Sequence, residues 1–225
     1  MNIKEETKLI GPEGRPLFGI FSSPVESFNL SDFRIYGTAK KEGLLKSLIT
    51  GFRIKRWQYL GVCNDEVIFG AAIVNLGYMT NMFTYIFDRR AGRIKQMEAI
   101  LPSGKAGLFT GSSRNGSASF KNRKASLDFT NRSESIHAKI SAGGKLQAEL
   151  NFFKSAEPLC CTTRVGLGGF NHKNSSQLCY GVENEEGVSL EGETTCLLPI
   201  QNGFLNPFDT SQLCRGELHY SGRFY

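Results

Sequence analysis

The sequence predicts an all-β fold, either an antiparallel β-barrel or a sandwich, preceded by an irregular N-terminal lead-in. Short segments alternate apolar and polar side chains, and turn-forming residues separate them. The 225 residues contain 25 Gly and 17 Phe, and 40% are hydrophobic, which is enough apolar material for a sizeable core. We therefore expect a single β domain over residues 1–225, with antiparallel strands from residue 51 onward.

The first 50 residues lack this alternation. Three prolines interrupt residues 1–34, which predicts an irregular lead-in. Four apolar residues recur at helical spacing between residues 40 and 49, and Gly51 follows them. This spacing predicts a short helix that ends at the glycine.

The next predicted strands lie between residues 52 and 87. Residues 52–60 alternate without a purely apolar face, which suits a strand beside a site. Residues 67–76 form a continuous apolar run, which predicts a strand buried on both faces. Thr80–Phe87 is aromatic-rich, and Asp88–Gly92 has turn composition, so a hairpin series is expected.

The alternation is clearest between residues 116 and 152. The predicted strands here are Gly116–Phe120, Ser126–Thr130, Ile136–Ile140 and Leu146–Phe152. Gly143 and Gly144 separate the last two and can adopt positive φ in a tight turn. After residue 153 the pattern weakens; Pro158–Thr163 and Val188–Glu193 are further candidate strands, and Gly166–Gly169 reads as a loop.

The formal charge of +6 is unevenly distributed. Basic residues dominate Arg34–Arg56 and Arg89–Lys124, whereas residues 183–193 hold five glutamates. A basic surface can attract nucleic acid, acidic lipid headgroups or an anionic ligand. No nucleic-acid motif accompanies the charge, so we expect solvated faces and no nucleic-acid partner.

The N-terminus has no apolar signal region, and the longest apolar run is too short to span a bilayer. These features predict a cytoplasmic protein without a transmembrane segment, and they leave peripheral membrane contact open. None of the six Cys forms a C-x-x-C pair, so reduced, buried thiols are expected. The three His lack metal-binding spacing, and the sequence predicts neither a metal nor a cofactor.

One stretch resembles a known family. Residues 51–60 read Gly-Phe-Arg-Ile-Lys-Arg-Trp-Gln-Tyr-Leu, the following apolar strand ends in Asn75-Leu-Gly-Tyr78, and Glu157-Pro158 and Gly168-Gly169-Phe170 come later. These motifs resemble the proteins grouped as domain of unknown function 2804, over roughly residues 18–180. The resemblance implies a lipocalin/calycin-like β architecture, related in outline to carotenoid hydratases and tocopherol cyclases. It also implies a longer protein, so this chain is expected to lack the family's C-terminal part.

Eight residues are candidates for ligand binding: Arg53, Lys55, Arg56, Trp57, Tyr59, Asn75, Tyr78 and His172. The basic residues beside Trp57 suit a cation–π contact or an anionic headgroup, and the alternative is a core aromatic that closes one end of the barrel. Asn75 and Tyr78 place an amide and a hydroxyl at a strand end, or mark a turn with a rim aromatic. His172 follows Gly-Gly-Phe-Asn in a predicted loop.

Two functions of different class are compatible with these residues. The favoured one is a binding domain for a small apolar or amphipathic molecule, such as a lipid or isoprenoid. The alternative is an enzyme of the hydratase or cyclase type, which needs a general acid in an apolar cavity. Asp88 and Asp128 lie on or beside predicted strands, but turn or outward positions explain both, so no catalytic residue is nominated. A third possibility is an interaction domain with a filled core.

Overall fold

The computed structural model describes residues 3–4, 8–34, 52, 54–63, 66–102, 107–110, 114–154, 159–165, 169–180, 188–189, 192–200 and 215–220. The helix expected at residues 40–49 and the candidate Arg53 lie outside the described residues.

Sixteen strands and one 3-10 turn, Leu30–Asp32, lie in the described residues. The strands are β1 (Ile3–Lys4), β2 (Gly19–Phe21), β3 (Arg56–Cys63), β4 (Val67–Asn75), β5 (Thr80–Asp88), β6 (Arg93–Leu101), β7 (Gly107–Phe109), β8 (Gly116–Lys121), β9 (Ala125–Asn131), β10 (Ser135–Ala142), β11 (Leu146–Lys154), β12 (Leu159–Val165), β13 (Gly169–Tyr180), β14 (Val188–Ser189), β15 (Gly192–Ile200) and β16 (Arg215–Tyr220).

Eleven strands form one continuous path, in the order β6-β5-β4-β3-β15-β13-β11-β10-β9-β8-β7. Neighbours on this path pair antiparallel. Two branches leave the path: β12 joins β13 to β2, and β16 joins β11 to β14. The predicted all-β, antiparallel fold is therefore confirmed.

The two ends of this path, β6 and β7, are neighbours in the sequence. Leu101 and Gly107 are separated by only five residues, a connection that spans at most about 20 Å. No ladder joins β6 to β7 in the described residues, so the curled sheet stays open. Of the two predicted alternatives, the structure has the sandwich rather than the closed barrel.

The main core lies between two local meanders, β3–β6 and β8–β11, whose apolar faces meet. Strand β9 shows the pattern: Leu127 and Phe129 are fully buried, whereas Asp128 and Thr130 are exposed. The four Phe side chains that fill this core without exposure are Phe69, Phe120, Phe129 and Phe152. Each contributes roughly 1.5–3 kcal/mol relative to an exposed ring.

The lead-in builds a second core against β2, β12 and β13. Its buried residues are Leu9, Ile10, Phe21, Val25, Leu30 and Cys160. Asn29 adopts the left-handed conformation at φ 32°, and its amide bridges the Ile10 backbone. Its Nδ2 donates to the Ile10 carbonyl at 2.8 Å, and its Oδ1 accepts from the Ile10 N–H at 2.9 Å. The described part of the lead-in is mostly irregular, as predicted, but it contains the short strands β1 and β2 and packs into a core.

The predicted strands between residues 67 and 152 are confirmed, with bounds that shift by one or two residues. The turn at Gly143 and Gly144 is also confirmed, because both residues have positive φ, 61° and 65°. The predicted loop at Gly166–Gly169 is wrong at its last residue, since Gly169 begins the 12-residue strand β13. Strand β6 was not predicted, because exposed Ile94 and Ile100 lie on its outer face and obscure the alternation.

Replacing Phe129 by Ala should lower the free energy of unfolding by about 3–5 kcal/mol, because a fully buried ring leaves a cavity. Thr130→Ala, one residue along and exposed, should change it by less than about 0.5 kcal/mol. Urea denaturation followed by circular dichroism measures both, and equal losses would contradict the assigned faces of β9.

Candidate ligand-binding site

A polar end of the sandwich lies where β3 begins, β4 ends and β9 ends. Here the inner face of β3 changes from Leu60 to Gln58 and then Arg56. Gln58 and Asn131 are buried and exchange two hydrogen bonds across the core. Gln58 Nε2 donates to Asn131 Oδ1 at 2.9 Å, and Asn131 Nδ2 donates to Gln58 Oε1 at 3.2 Å. This amide pair connects the two meanders through residues 73 positions apart.

Asn75 organises the neighbouring turn. Its Nδ2 donates to the Gly107 carbonyl at 3.0 Å, and its Oδ1 accepts from the Gly77 N–H at 2.8 Å. Gly77 has φ 86°, a conformation that favours glycine. Both polar atoms of the Asn75 amide are therefore engaged in holding β4 to β7 and shaping the turn. Tyr78, in the same turn, is exposed, as expected for a rim aromatic.

Lys55 caps this turn from the side of β3. Its Nζ donates to the Phe52 carbonyl at 2.6 Å and to the Leu76 carbonyl. The same Nζ lies 5.0 Å from the centre of the Tyr78 ring, a cation–π contact. Desolvation lowers the pKa of Lys55, and the two carbonyls and the ring offset the loss of water. The sequence predicted a cation–π contact with the Trp57 ring, whereas the contact that Lys55 makes is with Tyr78.

Arg56 is the adjacent cation, and its surroundings differ. It lies on the inner face opposite Asn75 and is partly buried. Desolvation lowers the pKa of its guanidinium, but the group stays charged at any physiological pH. Within the described part of the chain, no carboxylate and no hydrogen-bond acceptor contacts the guanidinium. A desolvated cation in this state is suited to receive an anion.

The outer faces of β3 and β5 carry five partly buried aromatic residues, here called the aromatic face: Trp57, Tyr59, Phe83, Tyr85 and Phe87. Trp57 pairs with Val74, and Tyr59 pairs with Ala72, which in turn pairs with Phe83. Because side chains alternate along a strand, Trp57 points away from the main core. The alternative interpretation, in which Trp57 closes one end of the core, does not describe this position.

Two glycines provide space for the tyrosines of the aromatic face. Gly61 and Gly70 pair with each other. A Cβ on Gly70 would lie 2.4 Å from Tyr85 Cε1, and one on Gly61 would lie 2.5 Å from the Tyr59 hydroxyl. Each ring therefore covers a glycine, and the two hydroxyls meet at 2.6 Å, one donating to the other.

His172 lies in β13, so its predicted loop position is wrong. Its ring is fully buried in the lead-in core, with edge contacts to Phe21 and Phe28. Nδ1 lies 2.8 Å from Thr162 Oγ1, and Nε2 lies 3.6 Å from Cys160 Sγ. These contacts fix the ring orientation within a closed core.

Burial keeps both members of the Cys160–His172 pair neutral. Desolvation lowers the pKa of His172 to about 4 and raises the pKa of Cys160 to about 12. A nucleophilic cysteine needs a depressed pKa beside a protonated imidazole, and this pair has the reverse. Cys160 and Cys161 are free thiols, and Cys160 is buried as predicted.

A separate open groove of about 360 Å³ lies on the outer face of β9–β11. Its lining combines polar residues, among them Asp128, which is exposed as predicted, with Ile140 and Ala148. Glu149 Oε1 accepts from Lys139 Nζ at 3.1 Å and contacts His137 Nε2 at 2.9 Å. Hydrogen bonds from Lys139 and His137 lower the pKa of Glu149.

The structure thus brings Lys55 into contact with Tyr78, places Asn75 in the same turn as Tyr78, and places Arg56 next to Lys55. Trp57 and Tyr59 lie on the face of β3 opposite Arg56. His172 lies apart from all of these residues, in the lead-in core. Sequence reasoning missed Gln58, which lies on the inner face of a predicted strand, and Asn131, which lies one residue beyond the predicted strand Ser126–Thr130. In the described residues, no group of three His, Cys, Asp or Glu could hold a metal ion. None of the described helical segments is long and apolar enough to cross a membrane.

Gly70→Ala should destabilise the protein, because the new methyl group displaces the Tyr85 ring and separates the two hydroxyls. In a double-mutant cycle by thermal denaturation, the cost of Gly70→Ala should be smaller when Tyr85 is already replaced by Leu. Additive losses would contradict the ring's placement over the glycine.

The stability of the protein should fall as the pH drops from about 6.5 to about 4, since only the unfolded state protonates residue 172 in this range. The full loss is about 3 kcal/mol, because one pKa unit corresponds to about 1.4 kcal/mol. His172→Asn should be less stable at pH 7.5 but should lose most of this pH dependence. Urea titrations at several pH values measure the effect, and an unchanged slope in the variant would contradict it.

The model of the family described as Domain of unknown function (DUF2804) matches residues 1–193 of the 225-residue chain. The match contains the whole stretch, residues 18–180, in which the motifs around Trp57 predicted that family. No protein with curated annotation and no solved structure matches the chain. The chain belongs to the DUF2804 family.

Proposed function

We propose that this protein is a binding domain for a small amphipathic molecule with an anionic headgroup, such as a lipid or an isoprenoid acid. The observation that carries the proposal is Arg56, a partly buried cation that no described carboxylate or acceptor contacts. A charge-assisted hydrogen bond contributes about 1.5–3 kcal/mol, and bidentate geometry adds specificity for carboxylate or phosphate.

Lys55 assists without competing for the headgroup. Its ammonium is already bound to two carbonyls and the Tyr78 ring, so it contributes positive potential rather than a free donor. Arg56 and Lys55 are adjacent, and both lose part of their hydration. An anion beside Arg56 therefore lies in a field from both cations.

The apolar part of the ligand has a neighbouring surface to lie on. The main core is filled by Phe side chains, so the sandwich interior offers little room. The aromatic face lies on the opposite side of β3 from Arg56; it begins at Trp57, beside the start of the strand, and extends along β3 toward Gly61. At about 3.3 Å per residue, these positions cover about 13 Å of strand. We therefore infer that the headgroup binds at the polar end and the chain lies along the aromatic face.

The carboxyl groups favour binding over hydratase or cyclase chemistry. Among the Asp and Glu residues whose side chains the structure describes, none is buried. Asp88 is partly buried, and its Oδ1 accepts from the Ala91 N–H at 2.8 Å, which completes the β5–β6 turn. A general acid with a pKa raised by desolvation has no candidate among these residues.

We also propose a cytoplasmic location. Cys160 and Cys161 are adjacent free thiols, and free thiols persist in reducing compartments.

Dodecanoate should quench or shift the emission of Trp57, the only Trp in the chain. Arg56→Gln should weaken dodecanoate binding by about tenfold or more, because it removes charge-assisted hydrogen bonds. Dodecanol, with the same chain and no charge, should bind the wild-type protein more weakly and should not distinguish the variant. Fluorescence titration measures each affinity.

Arg123→Gln is the matched control, since Arg123 is an exposed cation in the β8–β9 turn, away from the polar end. It should leave the dodecanoate affinity unchanged. Equal loss in both variants would mean that net charge alone drives binding. No response of Trp57 to dodecanoate, decyl phosphate or farnesoate would remove the basis of the proposal.

A further inference from the structure

Exposed apolar side chains are concentrated at one end of the molecule. In the described residues, the large hydrophobic side chains that are exposed by half or more are Phe52, Tyr78, Ile94, Ile100 and Leu108. Scattered exposed apolar residues are ordinary on protein surfaces, so only their clustering carries information. Four of these five lie at the polar end, and Ile94 lies at the other.

The contacts of the polar end fix this placement. Lys55 Nζ links the Phe52 carbonyl to the Tyr78 ring. Ile100 pairs with Asn81, directly after the turn that contains Tyr78. Leu108 follows Gly107, whose carbonyl accepts from Asn75. The four side chains, Phe52, Tyr78, Ile100 and Leu108, therefore surround the polar end, and they are here called the apolar rim.

Cations accompany the rim. Lys55 and Arg56 lie inside it, and Arg114 and Arg132 lie in the adjacent turns, because Gly116 pairs with Asn131. Two described carboxylates are near: Glu134 in the turn after β9, and Glu98, which accepts from Asn81 Nδ2 at 2.7 Å. The rim thus combines exposed apolar side chains with an excess of positive charge.

We propose that the apolar rim docks this protein on the surface of an anionic lipid bilayer. The inference rests on the proposed function in one respect: docking places Arg56 and the start of the aromatic face at the headgroups, so the amphipathic ligand passes directly from the bilayer. Exposed apolar side chains of a peripheral protein enter the headgroup–acyl boundary, and basic residues beside them bind anionic headgroups. An anionic bilayer surface offers both components that the rim requires, acyl chains for the apolar side chains and negative headgroups for the cations.

The opposite end of the sandwich is also basic, but it has fewer exposed apolar side chains among the described residues. The turns there carry exposed Arg123, Lys124 and Lys145, but Ile94 is the exposed large apolar residue near them in the described part of the chain. If charge alone drove binding, either end could adsorb to an anionic bilayer. Insertion of apolar side chains favours the end that carries the apolar rim. Substitutions of apolar residues, rather than of basic residues, therefore show which end binds.

The test is co-sedimentation of the full chain with vesicles. Vesicles of phosphatidylcholine and phosphatidylserine in equal amounts should bind the protein, and pure phosphatidylcholine vesicles should bind it at least tenfold more weakly. Each cation near an anionic surface contributes about fivefold to partitioning, so added salt should weaken binding. The double variant Ile100→Gln/Leu108→Gln should lower partitioning at least tenfold.

Ile94→Gln is the matched control and should partition like the wild-type protein. All of these positions are exposed, so the thermal unfolding midpoints should be unchanged, which a melt verifies. Equal partitioning of the rim variant and the control overturns the inference, as does failure of the wild-type protein to bind anionic vesicles. Rim-dependent self-association in sedimentation velocity, without vesicle binding, also overturns it in favour of a second copy.

Titration with soluble dodecanoate separates this inference from the proposed function. The rim variant should keep wild-type dodecanoate affinity, because neither substituted residue belongs to the aromatic face or contacts Arg56. Vesicle binding without dodecanoate binding would contradict the proposed ligand binding and support membrane docking by the apolar rim. Dodecanoate binding without vesicle binding would support ligand binding and contradict membrane docking.

Discussion

Burial of the apolar faces of the two meanders against each other is the interaction on which the rest of the structure depends. Either meander alone would present one apolar face to water. In the folded protein, Phe69 of the first meander and Phe129 and Phe152 of the second are buried in one shared core. Within this contact, Gln58 and Asn131 supply a directional constraint. The two buried amides exchange a pair of hydrogen bonds, and leaving a buried amide group without its hydrogen bond costs about 1–3 kcal/mol. The pair therefore favours one alignment of the meanders.

This alignment also creates the chemical difference between two adjacent cations. Lys55 precedes β3 and points toward the turn, and the carbonyl oxygens of Phe52 and Leu76 accept hydrogen bonds from its ammonium. Arg56 begins the strand on the inner face, where closure of the sandwich removes part of its water without supplying a counter-ion from the described residues. An anion bound from solution would therefore stabilise the charged Arg56 side chain.

Much of the fold could be predicted, and the failures have identifiable physical causes. Strands β8–β11 each bury one face and expose the other to solvent, so apolar and polar residues alternate visibly in the sequence. Strand β13 is rich in Asn, Lys and Ser, and the preceding glycines suggested a loop, so tertiary pairing with β12 and β15 decided its structure.

The site was predictable only in part. The proximity of Lys55 to Asn75 and Tyr78 was predictable, because the start of β3 lies beside the end of β4 in an antiparallel hairpin. The hydroxyl contact between Tyr59 and Tyr85 depends on the register of two ladders, and the Gln58–Asn131 pair joins positions 73 apart. Neither register nor long-range pairing can be read from one sequence. His172 was assigned to a site because loops often carry function, whereas its burial follows from packing of the lead-in.

The wide sequence separation of Gln58 and Asn131 has a consequence for the order in which the chain can assemble. The hairpins within each meander close short loops, whereas docking the meanders must close a far longer one at greater entropic cost. The strands that bridge the meanders, β13 and β15, are synthesised after both. A nascent chain therefore carries two apolar faces before the residues that join them have emerged. We expect slow folding with high contact order, and a period on the ribosome during which holdase chaperones protect the chain from aggregation.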